Sequence, residues 1–245
     1  MLKAVLFDLD DTLLGNHMDT FIPHYFGLLG QYAEKYMSRD AFLQVLLTAT
    51  QTMVADTDLS MTNRDVFWQS FHRQTGLDAA EMELYFNEFY RTHFLELERV
   101  VTRRKTAVSL INLCQKKGYK VVIATNPMFP AAAVEARLTW AGLPLTEFDF
   151  DLVTTYENMH ATKPNTAYYE EILDKIGVAA AAALMVGDDW ENDIEPAASV
   201  GCFTYWLPPD NETAPLDAQL VTKYGSLPEL YALLSAGWLA EEVLA

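Results

Sequence analysis

The chain has 245 residues, with 17 basic against 34 acidic side chains, a formal net charge of −17 at pH 7 and a pI of about 4.5. An anion of this kind is repelled by nucleic-acid phosphates and anionic lipid, which argues against general binding to either. It is no disordered acidic tail, because 51% of the residues are hydrophobic, 12% aromatic and only 21% charged, a composition that folds around a sizeable core.

The first element is the apolar run Lys3-Ala4-Val5-Leu6-Phe7, read as a buried strand whose C-terminal end carries Asp8. About eighty residues of helical pattern follow. Asp19 to Met37, Arg39 to Ala55, Thr62 to Thr75 and Asp78 to Phe94 place apolar and aromatic residues three and four apart, with Ser38, Asn63 and Asp78 as N-caps. The aromatic residues of this segment are read mainly as its own core. From Arg99 strands and helices alternate. A helix from Thr102 to Lys117 stops at Gly118, the strand Tyr119 to Ala124 runs into Thr125-Asn126-Pro127, Pro130 opens a helix ending near Gly142, and a strand follows around Phe150 to Val153. After the loop at Lys163-Pro164 come a helix from Thr166 to Ile176 and the strand Ala183 to Val186, ending in Gly187-Asp188-Asp189. Asn192 to Val200 reads as helix despite Pro196, Cys202 to Leu207 as strand, Leu220 to Val221 as a short strand and Pro228 to Ser235 as helix. The tail, with Trp238, Leu239 and Leu244, is read either as packing on the core or as an interface.

This order predicts an α/β fold: a Rossmann-like parallel sheet with helices on both faces, plus an inserted all-helical cap domain. The expected division is residues 1–14 and 100–245 as catalytic core and 15–99 as cap. Cys114 and Cys202 lack the spacing of a zinc site and are read as core residues. The N-terminal apolar run meets Asp8 and Asp10 too early for a signal peptide, and the stretch Val178 to Val186 is far shorter than the roughly 20 residues of a membrane span. The expectation is a soluble cytoplasmic protein.

In parallel sheets ligands bind beyond the C-terminal strand ends, where the polar clusters of this chain fall. Asp8, Asp10, Asp188 and Asp193 converge if the first and fourth strands are neighbours, and carboxylates about 4 Å apart repel by about 4 kcal/mol at an effective dielectric near 20. Such a cluster needs a cation or protons. Oxygen ligands without nearby His or Cys favour a hard ion such as Mg2+, and the Lys163 ammonium and Thr125 hydroxyl would join it in attracting a phosphoryl group.

Asp8-Leu9-Asp10-Asp11-Thr12, then Thr125, Lys163 and Gly187-Asp188 with Asp193, resembles the four-motif signature of the haloacid dehalogenase superfamily. The inserted helical segment resembles the cap of its phosphoglycolate-phosphatase-like branch. The resemblance implies Asp8 as nucleophile, Asp10 as general acid and base whose backbone carbonyl also meets Mg2+, and Asp188 as the second direct metal carboxylate. It implies Asp189 and Asp193 as holders of metal-bound water or of Lys163. Thr125 and the Asn126 backbone N–H would hold the phosphoryl group, with Lys163 neutralising it and Asp8. His17 and Met18, just past the nucleophile, are candidates for substrate contact, while Phe67, Trp68 and His72 face either the cleft or the interior.

The name-giving dehalogenases lack the acid that stands here as Asp10, so carbon–halogen chemistry is disfavoured. Pro127 removes one N–H donor after the second motif, and Thr166 stands where many relatives carry proline. The implied function is a Mg2+-dependent phosphatase acting on a small phosphorylated metabolite through an aspartyl-phosphate. The alternatives are a phosphoglucomutase-like transferase and a non-catalytic interaction protein on the same scaffold.

Overall fold

The strands, in chain order, are β1 (Ala4–Phe7), β2 (Leu14–Gly15), β3 (Thr102–Arg103), β4 (Lys120–Ile123), β5 (Leu152–Val153), β6 (Ala183–Gly187), β7 (Phe203–Trp206) and β8 (Lys223–Tyr224). The computed structural model is described for residues 1–209 and 220–240, and among these a six-stranded parallel sheet has the order β5-β4-β1-β6-β7-β8. β1 pairs Ala4 with Lys120 and Phe7 with Ile123 on one side, and Ala4 with Ala183 and Phe7 with Val186 on the other. Its alternate residues enter two cores: Val5 and Phe7 join Val121, Ile123, Leu184 and Val186 on one face, while Ala4 and Leu6 join Val122 and Met185 on the other. Burial on both faces explains why these strands read as continuous apolar runs.

Between β2 and β3 lie α1 (Met18–Ala33), α2 (Arg39–Val54), α3 (Asn63–Thr75), α4 (Ala79–Arg91) and a 3-10 segment, His93–Val100. The remaining helices, α5 (Lys105–Lys116), α6 (Ala131–Ala141), α7 (Thr166–Ile176), α8 (Glu195–Ser199) and α9 (Leu227–Ser235), accompany the sheet. The expected parallel sheet with a helical insertion is therefore present.

Local differences from the expected elements have physical causes. Thr62, not Asn63, caps α3, accepting the Asp65 N–H at 3.2 Å. Asn63 is instead buried, its amide donating to the carbonyls of Pro127 and Ala161, both at 3.2 Å. The backbone N–H groups of Asn63 and Arg64 donate to Met159 and Tyr156 oxygens, each at 2.8 Å. The orphan donors of the α3 N-terminus thus tie the insertion to the loops around the sheet.

α4 stops at Arg91, short of Phe94, where the Thr92 hydroxyl donates to the Glu88 carbonyl at 2.6 Å and the chain tightens to 3-10 geometry. Thr102 and Arg103 are not the first turn of α5 but pair antiparallel with Gly15 and Leu14, closing the insertion at its base. The segment expected as helix from Asn192 begins earlier, as a π turn over Trp190–Ile194, and continues as α8 with Pro196 in its first turn, where proline lacks no needed donor. The last strand lies at Lys223–Tyr224 and not at Leu220 to Val221. Trp238 packs edge-on against Tyr205 at 6.1 Å and Leu239 accepts the Leu2 N–H at 2.9 Å, so this part of the tail packs on the core. Leu244 lies outside the described residues.

Candidate active site

Strand order reverses across β1, with β4 on one side and β6 on the other, and the crevice beyond their C-terminal ends is the binding position such sheets provide. Asp8 follows β1, Thr125 follows β4 and Asp188 follows β6. A cavity of about 220 Å³ opens there, lined among others by Asp8, Asp10, Thr125, Asn126, Lys163, Asp188, Asp189 and Asp193. The parallel register, not sequence proximity, brings these side chains together.

Lys163 Nζ donates to Asp8 Oδ1 at 2.7 Å and to Asp193 Oδ1 at 2.5 Å. All three groups are buried. Burial alone would drive the ammonium toward neutrality, but Asp193 and Asp8 outweigh it and hold Lys163 above the usual lysine range. Burial raises the Asp8 carboxyl well above the ordinary range; Lys163 opposes this, and Asp193, Asp188 and Asp10 add to it. Asp188 is pushed up to about 7, by burial first and then by Asp193, with a hydrogen bond from the Thr12 hydroxyl at 3.0 Å opposing. Burial raises Asp193 as well, against the pull of Lys163, so the site crowds three carboxyls with one ammonium.

Oxygens of Asp8, Asp188 and Asp193 all lie within 4.8 Å of one another. An all-oxygen set of this charge fits a small hard dication such as Mg2+. Asp193 is already engaged, since its second oxygen accepts the Asp189 N–H at 3.2 Å. Its close seat beneath β6 requires Gly187, because a Cβ there would lie 2.1 Å from Asp193 Oδ2. Asp189 caps the π turn, its two oxygens accepting the backbone and side-chain N–H groups of Asn192 at 3.0 and 2.7 Å. The structure thus brings Asp8, Asp188, Asp193 and Lys163 together and turns the Asp189 carboxylate toward Asn192.

Asp10 sits on the turn back to β2, where Asp11 adopts φ 54°, a left-handed conformation that aspartate tolerates better than most side chains. Asn16 Nδ2 donates to Asp10 Oδ1 at 2.8 Å, and Arg137 of α6 pairs with Asp10 Oδ2. Arg137 is 1% exposed, its guanidinium lies 4.6 Å from the Phe129 ring centroid, and its Nη2 has no partner among the described protein atoms. Sequence reading missed Arg137, since an arginine inside an apolar helical run is ordinarily a surface residue. The available signal was its place among the buried positions Val134, Leu138 and Ala141 of α6.

Thr125 is buried, and its carbonyl accepts from Thr154 Oγ1 at 2.7 Å and Tyr168 OH at 2.9 Å. Asn126 Oδ1 is buried without a partner among the described atoms. Met18 lines the cavity, whereas His17 is exposed with Nδ1 3.2 Å from Asp11 Oδ1. Phe67 and Trp68 are buried in the helical insertion, with Trp68 Nε1 donating to Tyr156 OH at 3.1 Å. His72 bonds the Leu77 carbonyl oxygen at 2.7 Å, away from the crevice.

The family model of haloacid dehalogenase-like hydrolases matches residues 2–201. The pyrophosphatase PpaX of Bacillus cereus (strain AH820) is 27% identical over 206 residues, covering 83% of this chain and 82% of that protein. A ribulose-1,5-bisphosphate 5-phosphatase of Halopiger xanaduensis is 27% identical over 217 residues, 87% of each chain. Among solved structures, a 2-haloacid dehalogenase from Pseudomonas syringae pv. Tomato DC3000 superimposes with a TM-score of 0.63 at 21% identity, covering 96% of this chain and 99% of that one, a likeness of fold alone. With the strand-end aspartates, the buried lysine and the matched family model together, the chain belongs to the haloacid dehalogenase-like hydrolases.

Proposed function

We propose that this hydrolase is a Mg2+-dependent phosphatase of small phosphorylated metabolites, working through an aspartyl-phosphate on Asp8. The relatives named as phosphatases support the reaction class. The observation that carries the chemistry is Asp8, buried at a strand end and paired with Lys163, with a second carboxyl, Asp10, two residues on and held by Arg137 and Asn16. Residues 15–99 serve as the cap over this site.

Asp8 attacks phosphorus as the ester P–O bond breaks, and Asp10 gives its proton to the leaving oxygen, so the alcohol departs neutral. Asp10, now a carboxylate, takes a proton from water as that water attacks the phosphoryl group, which leaves as phosphate and frees Asp8. Lys163 offsets charge on Asp8 and on the phosphoryl oxygens, with Asp193 keeping the ammonium in place. Thr125 and the Asn126 backbone N–H bind those same oxygens. Asp8, Asp188 and the Asp10 carbonyl would hold Mg2+, whose charge, when bound, stabilises the developing negative charge on the phosphoryl oxygens.

Phosphate release from a panel of phosphorylated metabolites, with and without Mg2+, tests the proposal. Release should require Mg2+ and vanish in Asp8→Asn. Retained turnover in that variant, or isomerisation of a sugar 1-phosphate without release, would overturn it.

A further inference from the structure

Beside the catalytic crevice lies a second cavity, of about 170 Å³, among α1, α2, α3, α4 and the loop at Met128 to Pro130. Close-packed interiors rarely leave voids much larger than a water molecule, whereas an apolar cavity of about 150 Å³ stays dry and takes up benzene. Its walls are mainly apolar and aromatic, Tyr25, Trp68 and Phe86 among them. The polar groups there are largely spoken for. Glu83 is held by Arg64, with Nε at 2.5 Å, and by Tyr156 OH at 3.1 Å, while the hydroxyls of Tyr25 and Tyr90 bond each other at 2.7 Å. Thr50 and Asn87 add polar side chains at this wall, its apolar majority suits an apolar group, and Glu83 disfavours a second anion.

Ile22, Met128 and Phe129 line both cavities, so the two adjoin at these side chains. Met128 and Phe129 follow directly on Thr125-Asn126, and Phe129 carries the Arg137 guanidinium that pairs with Asp10. A leaving-group oxygen protonated by Asp10 would have this apolar wall next to it.

We propose that the cavity is the leaving-group subsite, and that the preferred substrate is a phosphate monoester whose alcohol carries an apolar group about the size of a benzene ring. This rests on the phosphatase reading and narrows it, away from the small, wholly polar esters. Ethyl phosphate and 2-phenylethyl phosphate isolate the subsite, because both release a primary alcohol and they differ in the ring.

In the wild-type protein with Mg2+, kcat/KM for the phenylethyl ester should exceed that for the ethyl ester by about tenfold or more, the scale of discrimination that a hydrophobic pocket achieves. Leu46 and Thr50 of α2 line the cavity, and Leu46→Trp and Thr50→Phe, two independent ways of filling it, should each bring that ratio toward one; circular dichroism identifies any variant that has not folded. Equal kcat/KM for the two esters in the wild-type protein would overturn the subsite and spare the phosphatase. So would release from glyceraldehyde 3-phosphate but from neither ester. A preference left intact in both folded variants would overturn the location. Release from no ester at all would overturn the phosphatase reading and the subsite with it.

Discussion

Arg137 joins Asp10, the proposed general acid, to the body of the protein. Its Nε donates to the Ala133 carbonyl at 3.3 Å and its Nη1 pairs with Asp10, so the carboxyl is braced from a rigid helix while its other oxygen is held by Asn16. Such bracing matters where proton transfer in the transition state contributes about 10²- to 10⁴-fold. Arg137→Met should lower kcat by about a hundredfold, within that range, while KM changes little. Arg137→Lys should recover part of the loss, because the ammonium restores charge but not the planar fork. A merely structural arginine would lower the fraction of folded enzyme and leave the kcat of the folded fraction intact.

Asp188 provides a pH test of the acidic cluster. In the metal-free protein its carboxyl is raised to about 7 from an ordinary value of 3.8, by burial and then by Asp193. Between these two values the folded state holds more protons than the unfolded state, so this group's contribution to stability falls as pH rises through the window and stays reduced above it. Without metal, Asp188→Asn should melt several degrees above the wild type at pH 8, with the advantage gone near pH 4. Mg2+ should raise the melting temperature of the wild type at pH 8 and barely move the variant. Equal melting temperatures at both pH values would show that Asp188 carries no such strain.

The long elements were legible because their hydrophobic period was complete. α7 runs from Thr166 to Ile176 as expected, since Asn165 caps it by accepting the Ala167 N–H at 3.0 Å and Gly177 ends it in a left-handed conformation. β1, β4 and β6 were legible as unbroken apolar runs ending in polar residues. The two-residue β2 and β3 were not, because their pairing joins residues far apart in sequence and leaves no period to read. The π turn escaped for a related reason: its spacing follows the pull of Asp193 toward Lys163 and of Asp189 toward Asn192, both tertiary contacts or caps. Asp8, Thr125, Lys163 and Asp188 could be found as strand-end or loop residues. Arg137 left only its place on the apolar face of α6 as a signal, since its reason for burial is a carboxylate 127 positions earlier in the chain.

The excess of acidic residues in the chain as a whole has two parts. Asp8, Asp188 and Asp193 are buried or half-buried in the crevice, where their charge holds Lys163 and suits a dication. Most of the rest is a surface field that repels an anionic substrate, and attraction then acts only within about a Debye length, about 8 Å at physiological salt. Inert salt at saturating Mg2+ should therefore leave kcat/KM unchanged or slightly raised, and a steep fall would reveal long-range attraction. Among the described residues no helix is long and apolar enough to cross a membrane.

The covalent step is the centre of the proposed chemistry, and it can be trapped. Asp10→Asn removes both the acid for the leaving oxygen and the group that would activate water, but 4-nitrophenyl phosphate releases a phenolate that needs no proton, so this ester should load Asp8 faster than the intermediate is hydrolysed. Acid-quenched protein, mapped by peptide mass spectrometry, should carry one phosphoryl group on the peptide containing Asp8, and Asp8→Asn should carry none. A phosphoryl group on another residue, or product formed by Asp10→Asn with no protein-bound phosphoryl group at any time, would contradict nucleophilic catalysis by Asp8.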